Sequence, residues 1–322
     1  MKILETWHAP NKDWRQAETI TAGVDVGSVS SQAVVMIDGE IFAYSNLQLG
    51  TNSPDSVQKV LTMALNGARM VRDDIHYLVG TGCGEANIPI AKRMLSEVSC
   101  HARGVNYSIG SSIRTILVMG GQDCGAIHCD EGGRVTTFLM NGWRPVDCLE
   151  RRCLKCGAAQ GWGIEAMADL LAVPIEEVAA MSLNVNDEQL QERLISPLEE
   201  GGTLPLSCAI NSVCAILAKS HATWLLSQGW TKEEILAAYH VAIAHQGAFL
   251  LERIGVIKEF AITGGVAKNL GVVRRLEKVL GIKAIIPEPS PQLTGALGAA
   301  LFARDFLERA EREHHRSHNR RG

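Results

Sequence analysis

From Ile20 onward, apolar residues come in short blocks broken by glycine or Asp-Gly: ITAGVDVGS, SQAVVMIDG and EIFAYSNLQLG. Such punctuation predicts an antiparallel meander of three strands. Ser53 to Asn66, opened by Pro54 and Asp55, predicts a helix, Ile75 to Gly80 a short buried strand, and Ile88 to Ser96 a second helix. The order then recurs: TILVMGGQD, GAIHCD and RVTTFLMNG predict three more strands with DEGG as a turn. Helical periodicity follows over Gly161 to Leu171, Ile175 to Ala180, Ser212 to Ser227 and Lys232 to Ile254. FAITGG, VVRRLEKVL and KAIIP predict strand, helix and strand, and Thr294 to His314 a last helix, apolar at its start and charged at its end. Two halves, each a meander followed by helices, predict a duplicated α/β unit.

The pattern divides the chain into a polar extension (1–19), a first domain (20–110 plus 290–314), a second domain (111–289) and a tail (315–322). Trp7 and Trp14 lie in the extension, which is expected to rest on the body or stay partly disordered. A chain of 322 residues is long enough for two domains. Its net charge of -4 offers no basic field for nucleic acid. No apolar stretch reaches membrane-span length and MKILETWHAPNKDW has no signal-peptide core, so a cytoplasmic protein with no membrane partner is expected. Nine cysteines in a reducing compartment point to metal, redox or burial rather than disulfides.

Three strands end in glycine. Asp25 closes the first and is followed by Gly27, Ser28 and Ser30, a turn that offers N–H groups and two hydroxyls to a phosphate. An aspartate there can hold Mg²⁺ through water. Alone, the segment is also the pattern of an ordinary hairpin. ILVMG delivers Gly120, Gly121, Gln122 and Asp123 to a second strand end, where Gln122 or Asp123 is placed to orient a water against a γ-phosphate and either to reach the ion. AITGGVAKN ends in Gly264 and Gly265 before a helix, which lets backbone pass close to a flat or anionic ligand. No Walker sequence or Rossmann glycine spacing competes.

CLKCGAAQGWG sets Cys156 near a helix start, and NSVCAILAKSHATWLL does the same for Cys214. A helix N-terminus favours a thiolate or an anionic cluster. Cys83, Cys100, Cys124, Cys129 and Cys148 read as core residues, whereas Cys153 and Cys208 stay open between ligand and core. His101 reads as a satisfied buried histidine. His240 and His245, five apart on one helix, read as packing, and the histidines of EREHHRSHNRRG as a solvated terminus.

The order of the three glycine segments resembles the actin, sugar-kinase and heat-shock-ATPase superfamily. It implies an α/β, duplicated actin-like (ribonuclease H-like) ATPase fold with an interdomain nucleotide cleft. More specifically, GVDVGSVSSQAVV, VGTGCGEA, CHARG, GGQDCGAI, CGAAQGWGIEAMA, VCAILAKSHAT, ITGGVAKNLGVV and PQLTGALGAALFA match in order the BadF/BadG/BcrA/BcrD ATPase family. That family holds the activators of 2-hydroxyacyl-CoA dehydratases and the ATPase subunits of benzoyl-CoA reductases. The resemblance runs from Ile20 to Ala303.

The resemblance implies a role for each candidate residue. Gly27, Ser28, Ser30, Gly120 and Gly121 would hold the phosphates of ATP or ADP, Asp25 and Asp123 the Mg²⁺, and Gly264, Gly265, Lys268 and Asn269 would sit near the adenosine. Asp25, Gln122 and Asp123 would serve hydrolysis. Cys156 and Cys214 would ligate a [4Fe-4S] cluster shared with a second ATPase subunit, and hydrolysis would drive a low-potential electron into a partner.

Departures from the activators set a preference among the members. Gln32 and Gly125 stand where activators usually show lysine, and CGAAQGWG where they typically read CAAGTGRF. With the N-terminal extension, these favour a D- or Q-type subunit of a benzoyl-CoA reductase. Its partners would be an unequal second ATPase subunit rather than an identical one, two acyl-CoA-binding iron-sulfur subunits, and ferredoxin. An activator of a 2-hydroxyacyl-CoA dehydratase is the alternative. A small-molecule kinase of the same fold and a zinc-stabilised nucleotide module without turnover are readings from other classes.

Overall fold

Strand β2 (Ile20–Val26) is buried along its whole length, and β3 (Ser30–Ile37) likewise. Both strands are covered on two faces. Ile20, Ala22, Val24 and Val26 pack with Val57, Val60 and Leu61 of helix α1 (Pro54–Asn66) on one side. Val34 and Met36 pack with Ala296, Leu297 and Ala300 of the last helix, α9 (Thr294–His318), on the other. A strand buried on both faces loses polar alternation, which is why these segments read as apolar runs.

The computed structural model of the chain describes residues 2–48, 54–82, 88–141, 160–193, 206–257 and 259–318. Two compact units divide it: Met1–Ile113 with Cys129–Val135 and Pro287–Gly322, and Arg114–His128 with Thr136–Ile286.

The first unit holds a six-stranded sheet. It also includes β1 (Lys2–His8), β4 (Glu40–Gln48), β5 (Tyr77–Gly82) and β6 (Arg93–Met94), in the order β1-β4-β3-β2-β5-β6. The predicted meander is β2, β3 and β4; β5 joins β2 in parallel. Close approach of α9 depends on small residues. A Cβ on Gly23 would land on the Ala296 carbonyl, and one on Gly298 on the backbone of Cys100.

Of the two outcomes expected for the extension, rest on the body is the one found, and one expected helix changes. The extension contains an ordered edge strand, β1, antiparallel to β4, with Trp7 stacked on Tyr44 at a centroid distance of 5.5 Å. Helix was expected over Ile88 to Ser96, but that segment holds a turn and β6, and helix α2 spans Glu97–Ile109. Ser96 caps α2 by accepting from the Ser99 N–H at 3.3 Å, so the serine that was read as the end of a helix is its beginning. Gly104 disguised α2. A Cβ there would strike the Thr294 carbonyl, so a helix-weakening residue sits in the interior for packing reasons.

In the second unit, β7 (Thr115–Met119), β8 (Cys124–Cys129), β9 (Val135–Met140), β10 (Phe260–Thr263) and β11 (Ala284–Ile285) form a sheet ordered β11-β10-β7-β8-β9. Helices α3 (Gly161–Leu171), α4 (Val178–Leu183), α5 (Asp187–Arg193), α6 (Ala215–Ser227) and α8 (Leu270–Leu280) surround α7 (Lys232–Ile254) in sequence. Most of α7 is buried around its circumference, as suits a central helix, and Thr231 with Glu234 forms its capping box.

Candidate functional site

Strand register in the first unit sets Thr81, Asp25, Gln32 and Asn46 side by side across β5, β2, β3 and β4. Residues paired directly across strands share a face, and this row lies at the strand end next to the turn from Gly27 to Ser30. The Gly27 N–H donates to the Ser30 carbonyl at 3.1 Å and closes that turn.

Asp25 is 6% exposed. Burial first, and then the Glu97 charge, push its carboxyl up to about 7, while His101 pulls the other way. Glu97 lies 3.6 Å from His101 Nε2, one helical turn away on α2. Burial pushes the Glu97 carboxyl up, but the hydrogen bond and charge of His101 outweigh it, so Glu97 sits below its usual range. His101 is thus buried and engaged, in agreement with the sequence.

A buried carboxylate that resists ionising is a fitting ligand for a divalent cation, whose charge removes the penalty. No group of three His, Cys, Asp or Glu side chains able to hold a metal gathers among the described residues. A cation at Asp25 would therefore take its other ligands from water and phosphate, as Mg²⁺ does.

The second unit repeats the hairpin. The Gly120 N–H donates to the Asp123 carbonyl at 2.9 Å, closing the turn between β7 and β8. Two other segments meet this turn. Gly161 N and Trp162 N, at the start of α3, donate to the carbonyls of Gly120 and Gly121 at 3.1 and 3.0 Å. Gly264, at φ +87°, passes so close to the Met119 carbonyl that a Cβ would overlap it. Glycines from three chain segments thus crowd at this turn, where no side chain stands between the backbones.

From the start of α3 a chain of amides leads on. Gln160, wholly buried, donates to Gln246 Oε1, and Gln246 Nε2 donates to the carbonyl and hydroxyl of Ser212 at 2.6 and 2.8 Å. Ser212 precedes Cys214, the N-cap of α6. Asn211 Oδ1 accepts from the N–H groups of Val213 and Cys214 at 2.9 and 2.7 Å. That bond moves the first turn of α6 to Ala215, later than the Ser212 expected. Cys214 is 8% exposed at this helix start, the place in the helix that the sequence expected for it.

Asp25, Gly27, Ser28 and Ser30 cluster in the first unit; Gly120, Gly121, Gln122 and Asp123 share one turn in the second, with Gln122 exposed. Lys268 is exposed beyond Gly264 and Gly265. The Asn269 side chain is engaged internally: Oδ1 accepts from Val272 N at 3.2 Å, and Nδ2 meets His240 at 3.1 Å. Its backbone is engaged as well: the N–H donates to the Val266 carbonyl at 2.9 Å, and the carbonyl accepts from Val272 and Val273 at 3.0 Å. Cys156, Cys153, Cys83 and Cys148 lie outside the described residues. Cys100, Cys124 and Cys129 are buried as read, and burial pushes the thiols of Cys100 and Cys124 up to about 12. Cys208 is exposed. Sequence reasoning missed Gln160, Gln246 and Glu97; only the four-residue spacing of Glu97 and His101 could have signalled one of them.

The sequence pattern of the BadF/BadG/BcrA/BcrD ATPase family matches residues 22–303. An activator of lactoyl-CoA dehydratase from Anaerotignum propionicum is 37% identical over 90% of this chain and 99% of its own length. The D-type component of benzoyl-CoA reductase from Thauera aromatica is 25% identical over 88% and 93%. The solved activator of 2-hydroxyisocaproyl-CoA dehydratase from Clostridium difficile, with bound ADPNP, is 34% identical, covers 92% of this chain and 98% of its own, and has a TM-score of 0.75. More distant solved structures share the actin-like α/β fold alone.

Proposed function

The chain belongs to the BadF/BadG/BcrA/BcrD ATPase family, and from that premise we propose that it is the ATP-hydrolysing, electron-donating activator of a 2-hydroxyacyl-CoA dehydratase. The sequence put a benzoyl-CoA reductase subunit first and this activator second. Identity of 37% to an activator along nearly the full length of both chains, against 25% to the reductase component, carries the reversed order.

On this reading Gly27, Ser28, Ser30, Gly120 and Gly121 bind nucleotide phosphates, Asp25 and Asp123 hold Mg²⁺, and Gln122 or Asp123 orients the attacking water. Gly264, Gly265 and Lys268 meet the nucleoside, and Asn269 holds the start of α8 beside them. A [4Fe-4S] cluster, when bound, supplies a low-potential electron, and this chain contributes Cys156 and Cys214 of its four thiolates. A second ATPase subunit contributes the other two, ferredoxin is the electron source, and the site of action is cytoplasmic.

Support for the coupling comes from hydrogen bonds within the second unit. The first N–H groups of α3 rest on the carbonyls of Gly120 and Gly121, so a phosphate that shifts this turn shifts the helix that follows Cys156. Gln160 and Gln246 pass the same shift to Ser212, two residues before Cys214. A sugar-kinase reaction has no use for a cysteine at a helix start tied to the phosphate turn, which favours the redox reading.

The test is anaerobic reconstitution with a 2-hydroxyacyl-CoA dehydratase, a reductant and ATP. Enoyl-CoA should form with ATP, fail with ADP, and fail with Asp25→Asn. Turnover confined to benzoyl-CoA reductase components, or iron-free phosphoryl transfer to a small acceptor, would overturn the proposal.

A further inference from the structure

Four side chains beside the Gly27 to Ser30 turn close a ring of hydrogen bonds. Gln32 Nε2 donates to Ser30 Oγ at 2.7 Å and to Asn46 Oδ1 at 2.9 Å. Asn46 Nδ2 donates to Gln292 Oε1 at 2.8 Å, and Gln292 Nε2 returns to Ser30 Oγ at 3.4 Å. We propose that this ring fixes the Ser30 hydroxyl as a donor to a phosphoryl oxygen of the bound nucleotide, with Gln32 and Gln292 as positioning residues. The inference rests on reading the turn as a phosphate cradle.

Proton counting sets the direction of the ring. A hydroxyl carries one proton and two lone pairs. Reversing every amide would ask that one proton to serve both Gln32 and Gln292 and leave one link unmade. In the observed direction each link has its own proton, and Ser30 Oγ accepts from both amides. Its remaining capacity is to donate. Asn46 is wholly buried and Gln32 is 4% exposed, so water competes little for these bonds and the orientation is held before a ligand arrives.

The position of the hydroxyl selects its acceptor. Ser30 ends the glycine turn, which also carries the Ser28 hydroxyl, and it starts the strand paired with Asp25 and its neighbours. A preset donor at such a turn meets phosphoryl oxygen well. Gln32 stands where the sequence showed a missing lysine. The structure assigns it a different service: a neutral amide that aims a hydroxyl, in place of a cation that attracts phosphate directly.

The experiment measures ATP and adenosine binding by calorimetry for the full chain and for Ser30→Ala, Gln32→Met, Gln292→Met and the doubles with Ser30→Ala. Each single change should weaken ATP by about tenfold, the scale of one hydrogen bond. The doubles should lose no more than Ser30→Ala alone, and adenosine affinity should hold. Gln292 lies in a part-buried loop, so its variant reports even where Gln32→Met fails to fold. Equal loss of ATP and adenosine, or additive doubles, would mean a structural role and overturn the inference. Variants that bind ATP as the parent does would overturn it while leaving the phosphate cradle standing. A parent chain that binds no ATP would reject both.

Discussion

His240 shows how a histidine is kept neutral. It is wholly buried; Asn269 Nδ2 donates to Nε2 at 3.1 Å, and Nδ1 donates to Ser182 Oγ at 2.8 Å. Ser182 in turn donates to the Ala179 carbonyl and accepts from Arg275. Burial first, and then the Arg275 charge, lower the pKa of His240 from 6.5 to about 3. Its folded value lies below its unfolded one, so the unfolded chain binds more protons between the two. The stability it contributes is complete above about 6.5 and is lost as pH falls towards 3, at up to ~1.4 kcal/mol per pH unit. Thermal melts from pH 7 to 4 should therefore fall less steeply for His240→Gln than for the parent; parallel curves would contradict this assignment. The sequence read His240 and His245 alike as packing. His240 packs, but His245 is exposed, because two positions five apart on a helix do not share a face.

At the scale of elements, periodicity and punctuation placed most of the strands and the long helices. Lys232 to Ile254 forms one helix with the bounds expected, since its cap and its apolar run agree. Errors fell where tertiary contact overrides local preference. Helix α2 hides a glycine that packs against Thr294, and α5 carries a polar sequence held by Arg275, whose guanidinium pairs with Asp187 at 2.6 Å. Gly264 is a sharper case. With φ at +87° and the Met119 carbonyl where a side chain would go, Gly264→Ala should cost roughly 1 to 3 kcal/mol of stability and weaken nucleotide binding. Denaturant unfolding would check the first and calorimetry the second; a variant with parental stability would show that the loop can open without cost.

For the whole molecule, the duplicated meander was legible because β2–β3 and β7–β8 repeat both the apolar block and the glycine turn. The hydrogen-bonded chain from the Gly120 turn to the segment before Cys214 was not legible, because Gln160, Gln246 and Ser212 carry no spacing signal. On the proposed function, that chain would link the phosphate turn to the segment before Cys214, and so it carries the account of coupling. Among the described residues no helix is long and apolar enough to cross a membrane. The most direct test is anaerobic purification, iron and sulfide analysis, and electron paramagnetic resonance of the reduced protein with and without ATP. A cubane signal that changes with ATP, and is lost in Cys214→Ser while ATP still binds, is the expected result. Iron-free protein that binds ATP, or iron unaltered in Cys214→Ser, would contradict the account.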